Sequence, residues 1–240
     1  MRLKDRIALI TGASRGIGAA IAKAYAREGA HVVLVARTVG ALEELDDEIQ
    51  SAGGKATLVP LDLEKIELID GLAAPLLERF GRLDVLVANA AILGKMTPVH
   101  QYPPDLWEKV FKLNVHANQR LLRAVHPLLN ASDSGRAIFL SSGVARQPRA
   151  YWGAYAASKA ALDNLAFTYA QECDKSNIRV NVVNPGGTRT ELRAAAFPGE
   201  DPNTLPTAED IMEVFLALAE AGCARHGEWI AAREYCGITA

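Results

Sequence analysis

Residues 6–18 read Arg6-Ile7-Ala8-Leu9-Ile10-Thr11-Gly12-Ala13-Ser14-Arg15-Gly16-Ile17-Gly18, and an alanine-rich stretch runs on from there to Glu28. The apolar run predicts a strand over Arg6–Thr11, and the alanine-rich stretch a helix over Gly16–Glu28. Glycines between the two permit a tight turn and let backbone N–H groups close on a diphosphate. The helix N-terminus adds free donors and a favourable dipole. The spacing is G-x-x-x-G-x-G, not the commoner G-x-G-x-x-G of dinucleotide sites. No Lys-Ser or Lys-Thr follows the last glycine, which argues against a P-loop. A glycine turn alone also suits a plain strand-to-helix corner. Its place at the first such corner of an alternating chain is what gives it weight.

That alternation continues outward. Strands are expected over Ala30–Ala36, Lys55–Pro60, Leu83–Ala88, Arg136–Ser141, Ile178–Val183 and Glu228–Ala231. Between them, helices are expected over Val39–Ala52, from beyond Pro60 to Phe80, within Pro104–Leu129, and over Tyr151–Lys175 and Ala208–Ala219. Near-continuous apolar runs such as Val32-Val33-Leu34-Val35 suit strands covered on both faces. Strand–helix alternation specifies an α/β fold: a Rossmann-type, doubly wound parallel sheet of about seven strands with helices on both faces. No linker or repeat divides residues 1–240, so a single domain is expected. The connection from Pro185 to Pro206 holds Gly186, Gly187 and Gly199 and is longer than most loops, so it is read as a mobile substrate lid.

Composition excludes several functions. The formal net charge is −2, with 26 basic and 28 acidic residues. No clustered basic excess marks a nucleic-acid or anionic membrane surface. The apolar stretch Ile7–Ile10 is too short for a signal-peptide core, and nothing approaches the roughly 20 apolar residues of a membrane span. Cys173, Cys223 and Cys236 are widely spaced with no C-x-x-C, and His31, His100, His116, His126 and His226 show no zinc-type pairing. The expectation is a cytoplasmic protein without a metal.

The end of the second expected strand bears on the ligand. A site for NAD places an acid there to bind the ribose 2′-hydroxyl. This chain has Ala36-Arg37-Thr38, and its next acid is Glu43. Arg37 can form charge-assisted bonds to a 2′-phosphate, and Arg15 can add a second charge. The reading is NADP(H); the competing one makes Arg37 a solvated surface residue.

Tyr155 and Lys159 form Y-x-x-x-K within an expected helix and so share one face. A neighbouring ammonium favours a phenolate and should lower the Tyr155 pKa from its usual value near 10. Ala154, Ala156, Ala157, Ala160 and Ala161 let another group approach closely. With these residues the chain resembles the short-chain dehydrogenase/reductase family over essentially its whole length. Thr11–Gly18 matches T-G-x-x-x-G-x-G, and Asn89-Ala90 the start of N-A-G. Asn114 matches a helix asparagine, and Ser142 precedes Tyr155 by the usual interval. Tyr155 and Lys159 match Y-x-x-x-K, and Pro185-Gly186 with Thr190 match P-G-x-x-x-T. Trp152–Lys159, Asn184–Thr190 and Phe197–Pro202 resemble the YciK-like bacterial oxidoreductases more closely.

The resemblance implies roles. Tyr155 is the acid in reduction and the base in oxidation; Lys159 depresses its pKa and binds the nicotinamide ribose. Ser142 meets the substrate carbonyl or alcohol, and Asn114 holds a relay water. Gly12, Ser14, Arg15, Gly16, Ile17 and Gly18 cradle the cofactor phosphates, Asp62 and Leu63 meet adenine, and Asn89 and Ala90 line the nucleotide side. Pro185, Gly186, Thr188 and Thr190 lie beside the carboxamide or phosphates. Plainer readings stand beside these. Ser141 could be the reactive hydroxyl, Asp62 a helix cap, and Asn89 and Asn114 amides that tie loops together. Ala91 stands where the family has glycine, a cost only if that backbone needs a positive φ.

The expected substrate is a small ketone, aldehyde or alcohol, met at an edge of Leu93, Met96, Val144, Tyr151 and Trp152, with Gly186 and Gly187 opposite. A 3-oxoacyl thioester on an acidic carrier, greeted by Arg146 and Arg149, is the alternative, and a non-enzymatic NADP sensor is another. A homodimer or homotetramer through helices near Trp107–Leu129 and Ala156–Cys173 is expected, because the second helix is apolar on more than one side.

Overall fold

The computed structural model describes residues 1–238. Its strands are β1 (Ile7–Thr11), β2 (His31–Ala36), β3 (Lys55–Pro60), β4 (Val85–Ala88), β5 (Arg136–Leu140), β6 (Arg179–Asn184) and β7 (Glu228–Ala231). They form one sheet, ordered β3-β2-β1-β4-β5-β6-β7. Every pairing is parallel, from Ile7 opposite His31 to Asn184 opposite Ala231. Strand order reverses between β1 and β4. At such a switch point the connections diverge to opposite faces and open a crevice beyond the strand C-termini.

The helices, in chain order, are α1 (Gly16–Arg27), α2 (Val39–Ser51), α3 (Ile66–Ile69), α4 (Ala73–Phe80) and α5 (Pro104–Phe111). Then come α6 (Ala117–Asn130), α7 (Gly153–Glu172), α8 (Glu191–Ala196), α9 (Met212–Ala219) and α10 (Ala232–Tyr235). Alternate strand residues feed two cores, as the two-residue pleat demands. Ile10, Val32 and Leu34 pack with Ile21, Tyr25, Leu42 and Phe215 from α1, α2 and α9. Leu9, Val33 and Val35 pack on the other face with Leu76, Leu121, Val125, Leu162 and Ala166 from α4, α6 and α7.

Four helices depart from the expected ones, among them α9, which starts at Met212 after a 3-10 turn at Glu209–Ile211 and not at Ala208. The stretch before Phe80 breaks into α3, a 3-10 turn at Asp70–Leu72, and α4. Gly71 favours the break, and Pro75 lacks an N–H and is tolerated only in a first turn. The helix begun at Pro104 passes through a π-helical turn at Lys112–His116 before becoming α6. α7 starts at Gly153, not Tyr151, because Tyr151 has a left-handed backbone with φ of 73°. The 185–206 connection is not featureless either: it contains α8 and a 3-10 turn at Pro202–Thr204. Among the described residues, no helix is long and apolar enough to cross a membrane, and no His/Cys/Asp/Glu cluster could hold a metal.

Candidate active site

The loop from β1 into α1 is held from outside. Asn89, just past β4, donates its Nδ2 to the carbonyls of Thr11 (2.8 Å) and Gly12 (3.1 Å). The Thr11 hydroxyl donates to Val87 O and accepts from the N–H groups of Asn89 and Ala90. So Asn89 ties loops together, the plainer of its two readings, and Thr11 joins it in that task. Gly18 is required by space: a Cβ there would stand 2.3 Å from the Gly12 carbonyl oxygen. Gly12 and Gly16 are left-handed, with φ of 64° and 56°. A Cβ on Gly16 would meet only Thr190, at 3.5 Å, so the loop's outer side is open. The N-terminus of α1 has no side-chain cap. Uncapped N–H groups beside small residues fit a bound diphosphate. Ala91 is not among the residues with positive φ, so the missing glycine carries no backbone strain.

Both arginines assigned to a 2′-phosphate are exposed and paired with acids. Arg15 meets Glu191 at 2.7 Å, and Arg37 meets Glu64 at 3.5 Å, which Lys109 also approaches. Exposed pairs like these hold by under about 1 kcal/mol and yield readily to a phosphate. Asp62 accepts from the N–H of Glu64 and shapes the turn ahead of α3, while the Leu63 side chain is buried in the core. Ser14 and Ile17 are half-buried in the loop, and Ala90 is half-buried at the crevice floor.

The next two strands bring the polar residues together. β5 ends at Leu140, and Ser142 follows it. α7 carries Tyr155 and Lys159 one turn apart, both buried. Lys159 donates to the Leu140 carbonyl at 2.7 Å, and its Nζ stands 5.9 Å from the Tyr155 ring centre. Burial pushes the Tyr155 pKa up to about 12, against the pull of the Ser142 hydroxyl. Burial also lowers Lys159 to about 8, against the attraction of Asp163. The depression of Tyr155 expected from Lys159 is therefore not found. The ammonium is turned onto Leu140, and desolvation wins. Ser142, not Ser141, faces the tyrosine; Ser141 is buried towards Asp163.

Asn114 sits fully buried in the π-helical turn. Its Oδ1 accepts from Ile92 N, and its Nδ2 donates to Ile92 O and Ser158 Oγ. Both amide hydrogens are thus used, and the side chain braces α7 against the loop after β4. Its backbone carbonyl accepts from Asn118 Nδ2 at 2.9 Å.

Beyond β6, Thr188 is buried and donates to Pro185 O. Gly186 is left-handed, with φ of 72°. Thr190 caps α8 by accepting from Arg193 N. Leu192, Ala196 and Phe197 of this segment pack over Val144, Trp152 and Tyr155, with Leu93 and Met96 alongside. The Trp152 ring lies 5.8 Å from Tyr155 and 5.7 Å from Phe197. Tyr151, expected at the pocket edge, is instead 58% exposed and outside this cluster, because its left-handed backbone turns it away. Glu191, Leu192 and Ala196 were not singled out from sequence, since neither a lone acid nor a short apolar stretch in a long connection carries a periodic signal.

The short chain dehydrogenase family model matches residues 6–201. An oxidoreductase of Escherichia coli (strain K12), YciK, is 44% identical over 219 residues, 90% of this chain and 86% of its own length. A short chain dehydrogenase from Shigella flexneri 2a, solved in complex with NADP, superposes with a TM-score of 0.93 at 42% identity, covering 97% of this chain and 98% of its own. One from Escherichia coli CFT073, solved with NADPH, gives a TM-score of 0.92 at 41% identity, with the same coverage of both chains.

Proposed function

The chain belongs to the short-chain dehydrogenase family, and from that premise we propose that it is an NADP(H)-dependent oxidoreductase that reduces a small ketone or aldehyde, or oxidises the matching alcohol. One observation carries the reading. Ser142, Tyr155 and Lys159 converge at the C-terminal end of β5, beside a glycine loop open on its outer side at the sheet's switch point. The loop, Arg15 and Arg37 would hold the dinucleotide, and two relatives were solved with NADP or NADPH. When bound, the cofactor supplies or accepts the hydride.

The chain's own residues then move the proton. Ser142 orients the carbonyl oxygen by donating to it. Tyr155, protonated through the neutral range, gives its proton to that oxygen as the carbon receives the hydride. The C=O π bond breaks, an O–H and a C–H form, and the phenolate is left beside Lys159. A water held at Asn114 would return the proton from solvent. Trp152, Phe197 and Leu192 keep bulk water off the reacting atoms.

The segment 185–206 acts as the substrate lid, within a single domain over residues 1–240, and the working protein is a homo-oligomer built on α6 and α7. A panel of carbonyl compounds tested for NADPH oxidation, with cofactor titration, examines the reading. Turnover with tighter binding of NADPH than NADH is the expected result. Absence of binding to either cofactor would overturn it.

A further inference from the structure

One buried charge is not used by that mechanism. Asp163 follows Lys159 by four residues on α7 and is 5% exposed. Neither carboxylate oxygen has a hydrogen-bond partner, and both are sealed from solvent. Ser141 Oγ and the Trp229 Nε1 of β7 are also buried without a partner, and both face Asp163. A buried carboxylate costs several kcal/mol unless compensated. Burial raises the Asp163 carboxyl above its usual range, and Ser141, Lys159, Arg146 and Trp229 all pull it back towards the ionised form. Lys159 stands one turn earlier on the same helix, and Arg146 approaches from the segment after β5, its guanidinium 4.4 Å above the Trp229 ring. These groups belong to α7, the end of β5 and β7, so three elements turn polar atoms towards one carboxylate.

The Lys159 head group completes the picture. It donates to Leu140 O, and Ser141 is the next residue. The ammonium and the carboxylate therefore share the end of β5. Along α7, Tyr155 precedes Lys159 by one helical turn and Asp163 follows it by one turn. Of the charged groups around Lys159, Asp163 is the one that stabilises its positive form, while burial works against that form.

Resting on the proposed oxidoreductase reading, we infer that Asp163 is a positioning residue: it is the buried counter-ion that keeps Lys159 protonated at neutral pH, with Ser141, Trp229 and Arg146 keeping Asp163 ionised. The sign follows. Removing the carboxylate removes the attraction and leaves the desolvation, so the amine loses its proton at a lower pH. Lys159 stands at about 8 with Asp163 present; without it, the amine becomes largely neutral in the physiological range. A neutral amine no longer stabilises the Tyr155 phenolate.

The test reads Lys159 directly. The free protein, labelled with ¹³C-lysine, is titrated by NMR, and the Lys159 signal is assigned by its loss in Lys159→Arg. Asp163→Asn keeps the shape and is expected to lower the Lys159 pKa by about one unit or more. Ser141→Ala, which removes a hydroxyl that faces Asp163, should shift it the same way by less, and it carries the test if Asp163→Asn does not fold. In the alcohol-oxidation direction, the alkaline limb of kcat should move to lower pH by the same amount. A Lys159 pKa unchanged in the variants would overturn the inference. Failure of the reading it rests on looks different: Tyr155→Phe would keep ordinary turnover whatever Lys159 does.

Discussion

At the scale of single residues, the site is a contest between burial and charge. Tyr155 is held protonated by burial, so it is a donor in waiting at neutral pH. Positioned acid–base groups contribute about 10²–10⁴-fold. Tyr155→Phe should cost at least that much in kcat while leaving the melting transition and NADPH binding close to those of the parent; ordinary turnover would dismiss the mechanism. Lys159 loses its charge as pH rises through about 8. Oxidation rates that depend on it should therefore fall on the alkaline side from that region upward, which a pH–rate profile reads. Arg37 is paired with Glu64 across exposed surface. Arg37→Asp places an acid where a 2′-phosphate would sit. It should remove most of the preference for NADPH over NADH in a binding titration; a preference that survived would return Arg37 to the solvated surface. Gly18→Ala forces a Cβ against the Gly12 carbonyl. Overpacking of this kind costs about 1–3 kcal/mol, and thermal unfolding with cofactor titration should show both a lower Tm and weaker binding.

At the scale of elements, strands were the most legible part of the chain. β3 and β7 have the ends expected from their sequence, and the others differ by one or two residues. Apolar runs buried on both faces explain that. Helices were legible where one apolar stripe faced the sheet, as in α1 and α2. They were misjudged where backbone geometry decided: the π-helical turn around Asn114 and the left-handed Tyr151 leave no mark in hydropathy. Of the residues singled out by type, Ser142, Tyr155 and Lys159 are brought together by the fold, while Arg37 lies exposed beside Glu64. The site was illegible where folding alone creates the neighbour, as when Glu191 meets Arg15 or Phe197 meets Trp152. Segment 185–206 belongs at this scale. It is laced internally, with Arg193 paired to Glu200 and Arg189 bonded to Pro202 O, yet rests on the rest of the site through a few apolar side chains and the exposed Arg15–Glu191 pair. Its amides should exchange quickly in the free protein and more slowly with cofactor and substrate bound. Strong protection in the free protein would sink the lid reading.

At the scale of the whole molecule, α7 is covered by the sheet on one side only. Ala157, Ala160 and Ala161 are half-buried and belong to neither core, whereas Leu165 and Phe167 pack partly against the second one. Light scattering at micromolar concentration should therefore report two or four chains; a mass of one chain that persists as concentration rises would rule the oligomer out. The sheet's wiring has a consequence of another kind. Its middle joins β1 to β4, with Ala8 opposite Val85, so the central seam closes a separation of 77 residues (85 − 8). Such long-range parallel pairing is slow to form. The glycine loop is braced by Asn89, from beyond that seam. As the chain leaves the ribosome, the first three strands can associate early, but the loop between β1 and α1 has nothing to set its carbonyls until Asn89 arrives. Competence to bind a nucleotide is thus acquired late and all at once during folding, and a refolding chain should regain cofactor fluorescence only after most of its helical signal has returned.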